Sequence, residues 1–220
     1  LVPGRWSATL GAQALYHGYS GFDVQPTARL LWTPNPRTTF WTAVSRAVRT
    51  PVRIDRDLVA RFGGTLVFEG NDDLKPESVI AYEAGVRRRM GERFAIYLST
   101  FINRYDNLRS YESRTNTFMA FPWTFKNTTN AHSSGVEATV LYQPFSRLFL
   151  KGTYRYLDLE LTKDPGSGDF QDGIFEMNDP HHVASLTARV DLPGRIEFDS
   201  NYLYACTAPN SWKRAAWSSF

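Results

Sequence analysis

At 220 residues, with 25 basic and 22 acidic side chains spread along it and a net charge of +3, the chain is long enough for one sizeable core and too evenly charged for a nucleic-acid footprint. A mean hydropathy of −0.37, and the lack of any apolar run near the roughly 18–20 residues a membrane helix needs, exclude a helical membrane protein; a membrane barrel survives, because only alternate residues of its strands meet lipid. The single cysteine, Cys206, rules out an intramolecular disulfide and argues against a cysteine-based zinc site.

Leu1 to Trp6 lack the charged, apolar and small-residue regions of a secretory signal, and a strand pattern follows at once, so the chain is expected to begin mid-protein. From Trp6 to Tyr16 the even positions are Trp6, Ala8, Leu10, Ala12, Ala14 and Tyr16, against Ser7, Thr9, Gly11 and Gln13. This period of two predicts a strand with one apolar face and an aromatic ring at each end. Weaker segments of the same kind run from Pro26 to Thr33, Thr39 to Arg49, Phe94 to Tyr105, Ser134 to Tyr142 and Ile196 to Tyr204. Clearer ones carry Tyr82, Ala84 and Val86 against Glu83, Gly85 and Arg87, and Leu148, Leu150, Gly152, Tyr154 and Tyr156 against Phe149, Lys151, Thr153 and Arg155. The clearest sets Ala184, Leu186, Ala188, Val190 and Leu192 against Ser185, Thr187, Arg189 and Asp191. The expectation is an all-β fold of about nine long antiparallel transmembrane strands.

Tight connections are predicted at Pro34-Asn35-Pro36, Met90-Gly91-Glu92, Gln143-Pro144-Phe145 and Pro193-Gly194-Arg195, all built from residues that preset a turn or permit positive φ. Long polar connections are predicted between them, at about His17 to Val24, Thr50 to Ser78, Asp106 to Ser133 and Glu160 to Asp179. Alternating short and long connections match outer-membrane barrels, whose short turns are periplasmic and whose long loops are external. A soluble β-sandwich also alternates, but its strands are typically about half as long.

The stretch Gly70-Asn71-Asp72-Asp73-Leu74-Lys75-Pro76-Glu77-Ser78, followed by Tyr82-Glu83-Ala84-Gly85, resembles the Gly-Asn-x-x-Leu-x-Pro-Glu and Tyr-Glu-x-Gly pattern of TonB-dependent receptor barrels. Further matches are Pro26 to Trp32, Ser45 to Pro51, Phe101-x-Asn103-Arg104-Tyr105-Asp106, Gly135-Val136-Glu137 and Asn178-Asp179-Pro180-His181-His182. The resemblance implies a segment, residues 1–204, of a barrel of 22 strands around an N-terminal plug. It also implies a place in the bacterial outer membrane and active uptake of a scarce nutrient such as a ferric siderophore or cobalamin; the alternative is a passive porin or structural barrel. Nothing here resembles the plug, so contact with the TonB complex is expected only through a plug outside this chain. Residues 205–220 do not continue the pattern and are expected to be an atypical tail, frameshifted or truncated.

His181 and His182 invite a metal reading, but neighbours on a strand point to opposite faces. Asn71-Asp72-Asp73 lacks the glycine and glutamate of a calcium loop, and Asn127-Thr128-Thr129 is a glycosylation sequon by letter only. His132, Ser133, Ser134 and Glu137 are close in sequence without any recognised catalytic spacing. Neither an enzyme nor a cofactor is therefore expected. Arg29, Glu83, Arg87, Lys151, Arg155, Arg189 and Asp191 are read as lumen lining. The loops carry Arg53, Arg56, Arg61, Tyr111, Arg114, Phe118, Phe121 and Trp123, guanidinium and aromatic groups suited to an anionic, partly aromatic extracellular ligand such as a ferric siderophore. The simpler reading is that they pack the loops together.

Overall fold

The computed structural model describes residues 4–113, 120–169 and 179–206. In chain order these hold β1 (Trp6–His17), β2 (Gly21–Asn35), β3 (Thr38–Arg49), α1 (Arg53–Asp57), β4 (Val59–Phe62), β5 (Thr65–Glu69), β6 (Glu77–Met90), β7 (Phe94–Ser113), β8 (Trp123–Phe145), β9 (Leu148–Lys163), β10 (His182–Leu192) and β11 (Ile196–Ala205). All strands except β4 and β5 form one antiparallel wall in which each strand lies beside its predecessor, from β1 at one edge to β11 at the other. Each of the nine expected segments is one of these strands, and the wall does not close on itself.

Directly opposed residues of an antiparallel pair share a face, so register carries the alternation of each strand across the whole wall. One row runs Trp6, Trp32, Phe40, Val86, Leu98, Ala138, Tyr154, Ala184 and Tyr204. This face, called outward below, is apolar along that row; Arg46, Arg104, His132 and Glu160 meet on it only toward the long-loop ends of their strands, and Arg88 near the tight turns. At the tight-turn end it carries a stack of rings, Trp6 on Trp32 at 5.6 Å and Trp32 on Phe40 at 5.2 Å. The inward face carries Arg29, Glu83, Arg87, Lys151, Arg155, Arg189 and Asp191, all seven residues expected to line a lumen. Its polar groups bond to one another: Asn103 donates to Ser133 Oγ (3.0 Å), Thr187 to Asn201 Oδ1 (3.1 Å) and Arg189 to Asp199 (2.8 Å).

Two glycines of the sequence motifs make room for aromatic rings on this inward face. Trp41 lies opposite Gly85, and Phe101 opposite Gly135. A Cβ on Gly85 would fall 2.6 Å from Trp41 Nε1, and one on Gly135 would fall 2.5 Å from the Phe101 ring and 2.4 Å from the Tyr156 carbonyl. Neither position admits a side chain without moving backbone or ring.

The long-loop end differs from the expectation in three places. His17 to Val24 is a tight turn, because Asp23 and Gln25 are inward residues of β2, which pairs with β1 as far as His17↔Gly21, with Gly21 at φ 77°. Between Asp106 and Ser133 the wall continues upward as β7 and β8, of 20 and 23 residues. About half of each lies beyond the roughly 9–11 residues that cross a bilayer. Bulges between Tyr105 and Leu108 and between Leu108 and Ser110, with Asn107 at φ 59°, hide the alternation in the sequence, because each extra residue reverses its parity. Finally, the loop from Thr50 to Ser78 is folded: it holds α1 and the β4–β5 hairpin, and β5 adds to β8 in parallel through Phe68↔Trp123 and Glu69↔Thr124. β9 extends to Lys163. Residues 170–178, with Asn178 of the motif, and the tail 207–220 lie outside the described residues.

Candidate functional site at the long-loop end

The loop after β3 is fastened to the β7–β8 extension by a chain of charges. Asp55 of α1, 2% exposed, caps its own helix by accepting from the Val52 N–H at 3.0 Å and is paired with the Arg109 guanidinium of β7. That guanidinium lies over the Phe125 ring at 4.5 Å. The Arg109 backbone N–H donates to Glu77 Oε1 (2.8 Å), and Glu77 Oε2 accepts from Arg49 (2.7 Å). A cation held among aromatic rings and partly desolvated needs its anion, so this pair ties α1 to the wall.

The motif residues around it are fasteners too. Gly70 donates to the Leu58 carbonyl (2.6 Å), and a Cβ there would lie 2.1 Å from the Arg56 carbonyl. Asn71 donates to the Phe125 carbonyl (2.9 Å), Leu74 is buried, and the Lys75 amide and carbonyl both bond the Asn127 side chain, at 2.8 and 3.1 Å. Asn127, a sequon by letter, thus spends its amide on holding this loop.

A second clamp centres on Glu112 of β7, 3% exposed. It accepts from the Thr128 and Ser167 hydroxyls, the latter at 2.8 Å, and from the Gly168 N–H. Burial alone would raise the pKa of this carboxyl. The bonds from Thr128, Ser167 and Gly168 outweigh burial and hold it below its ordinary value, because each favours the charged form. Glu112 thereby fastens the segment after β9 to the β7–β8 extension, above the membrane-spanning part of the wall.

The eight candidate ligand residues do not form one cluster. Arg56 is turned inward, over the Tyr19 ring at 4.8 Å and bonded to Asp72 at 3.3 Å and to the Tyr19 carbonyl at 3.2 Å. Tyr111 packs edge-on against Phe125 (5.1 Å) and Phe68 (6.4 Å). Arg53 is exposed and pairs with Asp57 one turn along α1, while Arg61 is exposed near the tip of the β4–β5 hairpin. Phe121 and Trp123 pack with their rings tilted, 5.1 Å apart, at the start of β8. Arg114 and Phe118 lie outside the described residues. Asp55, Arg109 and Glu112 were not singled out from the sequence, and Glu77 was noted there only as a motif residue. A lone carboxylate or arginine in a polar loop carries no local signal, and only the fold brings these together.

The other groups weighed from sequence are dispersed. His132 and Ser134 lie on the outward face, Ser133 and Glu137 on the inward one. His181 bonds the Leu157 carbonyl (2.8 Å) and His182 the Tyr154 hydroxyl (2.8 Å). On the inward face a concavity of about 470 Å³ lies among Trp41, Arg87, Tyr97, Glu137 and Lys151, with Arg87 over the Tyr97 ring at 5.2 Å.

The architecture is that of solved siderophore receptors. The siderophore receptor PirA from Acinetobacter baumannii matches 90% of this chain with a TM-score of 0.68 at 17% identity. A mutant ferric enterobactin receptor, PfeA from Pseudomonas aeruginosa, solved with enterobactin, matches 93% with a TM-score of 0.69 at 17% identity. The alcaligin outer-membrane receptor FauA from Bordetella pertussis matches 95% with a TM-score of 0.60 at 13% identity. The chain spans 31%, 31% and 36% of these proteins respectively, about a third of each. No curated protein sequence matches it. A family model described as TonB dependent receptor-like, beta-barrel matches residues 2–219, and by that match, with which the two-faced wall agrees, the chain belongs to the TonB-dependent receptor-like β-barrel family.

Proposed function

We propose that this chain is wall and outer-loop structure of an outer-membrane receptor that actively takes up a ferric siderophore or a comparable scarce nutrient chelate. Its long-loop end faces the medium and its tight-turn end the periplasm. Energy reaches it from the TonB complex through a plug domain outside this chain. The carrying observation is the folded cap over the outer end: α1 and the β4–β5 hairpin are locked by Asp55 and Arg109 to β7 and β8. A wall that only enclosed a pore would not need buried charge to hold a loop in one place. The enterobactin bound to a receptor of the same fold supports an anionic chelate as cargo.

The six described candidates divide by environment. Arg56 and Tyr111 position the loop, and Arg53, Arg61, Phe121 and Trp123, with Arg114 and Phe118, contact the ligand through charge-assisted bonds and ring stacking. The test is excision of residues 59–69 from the full-length receptor, where the Gly70 N–H already meets the Leu58 carbonyl and the ends to be joined are adjacent. Ferric enterobactin and other ferric siderophores serve as probes. The expected result is loss of binding with a heat-resistant barrel still in the outer membrane. Unchanged uptake and affinity would remove this loop from recognition, and a parent receptor that binds no ferric siderophore would overturn the cargo class.

A further inference from the structure

Each of the five strands that rise from the tight-turn end is preceded by an arginine: Arg5 before Trp6, Arg37 before Thr38, Arg93 before Phe94, Arg147 before Leu148 and Arg195 before Ile196. Four of them end the ladder in the same way. The Arg5 carbonyl accepts from Thr33 N–H (2.7 Å), that of Arg37 from Arg89 (2.8 Å), that of Arg93 from Gln143 (2.8 Å) and that of Arg147 from Asp191 (2.9 Å). They are therefore the last rung of the wall, at matching positions two strands apart, or roughly 10 Å.

The residue after each arginine, Trp6, Thr38, Phe94, Leu148 or Ile196, belongs to the outward rows, so alternation puts Arg5, Arg37, Arg93 and Arg147 on the inward face, while Arg195, at φ 62°, stands in the turn beside them. All five are exposed, and among the described residues none forms an ion pair. Only Arg93 has a side-chain bond, to the Pro144 carbonyl (2.9 Å). Arg89 adds a sixth cation to the same rung. Asp191, opposite Arg147, and Glu92 and Glu197 nearby leave the rim net positive. Like charges repeated at this spacing repel, and an anionic partner would relieve them. Lipid meets the outward residues one position further along, whereas the four rung arginines turn toward the mouth of the barrel.

We propose that this rim is a docking collar for an acidic polypeptide segment at the tight-turn mouth of the barrel, a proposal that rests on the barrel reading above. The test uses full-length receptor in neutral detergent and a fluorescein-labelled deca-glutamate peptide, followed by anisotropy. The peptide is expected to bind and to be released by salt. The triple variant Arg5→Gln, Arg37→Gln, Arg147→Gln should weaken it about eightfold, three exposed ion pairs at about a factor of two each, while the corresponding Lys variant retains it. Both variants are first shown to keep the heat-modifiable mobility of the folded barrel. Equal affinity in the Gln variant overturns the collar, as does loss of binding to phosphatidylglycerol vesicles with peptide binding intact, which would assign the arginines to lipid headgroups. Failure of the orientation is read separately: with Cys206 replaced by alanine, Ser146→Cys should resist an impermeant maleimide on intact cells, and labelling there would place the tight turns outside.

Discussion

An arginine placed at Leu186 tests which face of the wall meets lipid. β10 spans His182–Leu192, eleven residues, which at about 3.4 Å per residue and a tilt of about 45° cross roughly 25 Å. Leu186 lies four residues from the His182 end, about 10 Å along the normal and within about 3 Å of the midplane. There an outward arginine costs roughly 2–4 kcal/mol. Leu186 is directly opposite Gly152 on β9, whose missing side chain gives the guanidinium a path along the wall, so the lower half of that range, about 2–3 kcal/mol, is expected. Thr187→Arg is the matched inward change. It removes the 3.1 Å bond to Asn201, worth about 1 kcal/mol, and sets a cation opposite Lys151 in a wet lumen that screens it. Urea unfolding of both variants of a full-length receptor in phospholipid vesicles should separate them by about 1–2 kcal/mol. Equal costs, or a larger cost at Thr187, would refute the assignment of faces.

Expressed alone, the chain should aggregate, since the edges of β1 and β11 expose unpaired backbone groups that lipid cannot satisfy; recovery as a heat-resistant closed monomer in detergent would contradict this. Asp55→Ala leaves Arg109 without its anion, and local opening easier by roughly 2 kcal/mol should speed tryptic cleavage at Arg53, Arg56 and Arg61 at least about tenfold while the barrel stays folded. An unchanged cleavage rate would remove the pair from loop fastening. Because the pKa of Glu112 is lowered in the fold, its clamp is fully present above the ordinary carboxylate value of about 4.3 and is lost only as pH falls through the lower folded value. Hydrogen exchange at residues 164–169, corrected for intrinsic rate, should therefore stay slow from pH 7 to 5. Protection that already declines over that interval would count against this role of Glu112.

The wall was legible in the sequence because a strand writes its environment in alternate residues: Ala184, Leu186, Ala188 and Val190 against Ser185, Thr187 and Arg189 determine two faces without knowledge of any neighbour. Gly, Pro and Asn likewise marked the turns after β2, β6 and β10, since those residues act on the backbone locally, whereas the turn expected at Gln143-Pro144-Phe145 falls at Ser146-Arg147, because β8 runs on through Pro144 to Phe145. What the sequence could not show was register, and register depends on pairings between distant segments. Only the tertiary structure decided that Gly85 and Gly135 lie under Trp41 and Phe101, and that Gly70, Asn71 and Leu74, known from the sequence as a motif, are fasteners of a loop. The outer end was least legible. There the bulges near Asn107 break the parity of β7. Asp55 meets Arg109, and Glu112 meets Ser167 and Gly168, across 54 to 56 residues of chain. Such long-range polar pairs have no periodicity to betray them, because their energy comes from burial that exists only once the strands have brought them together.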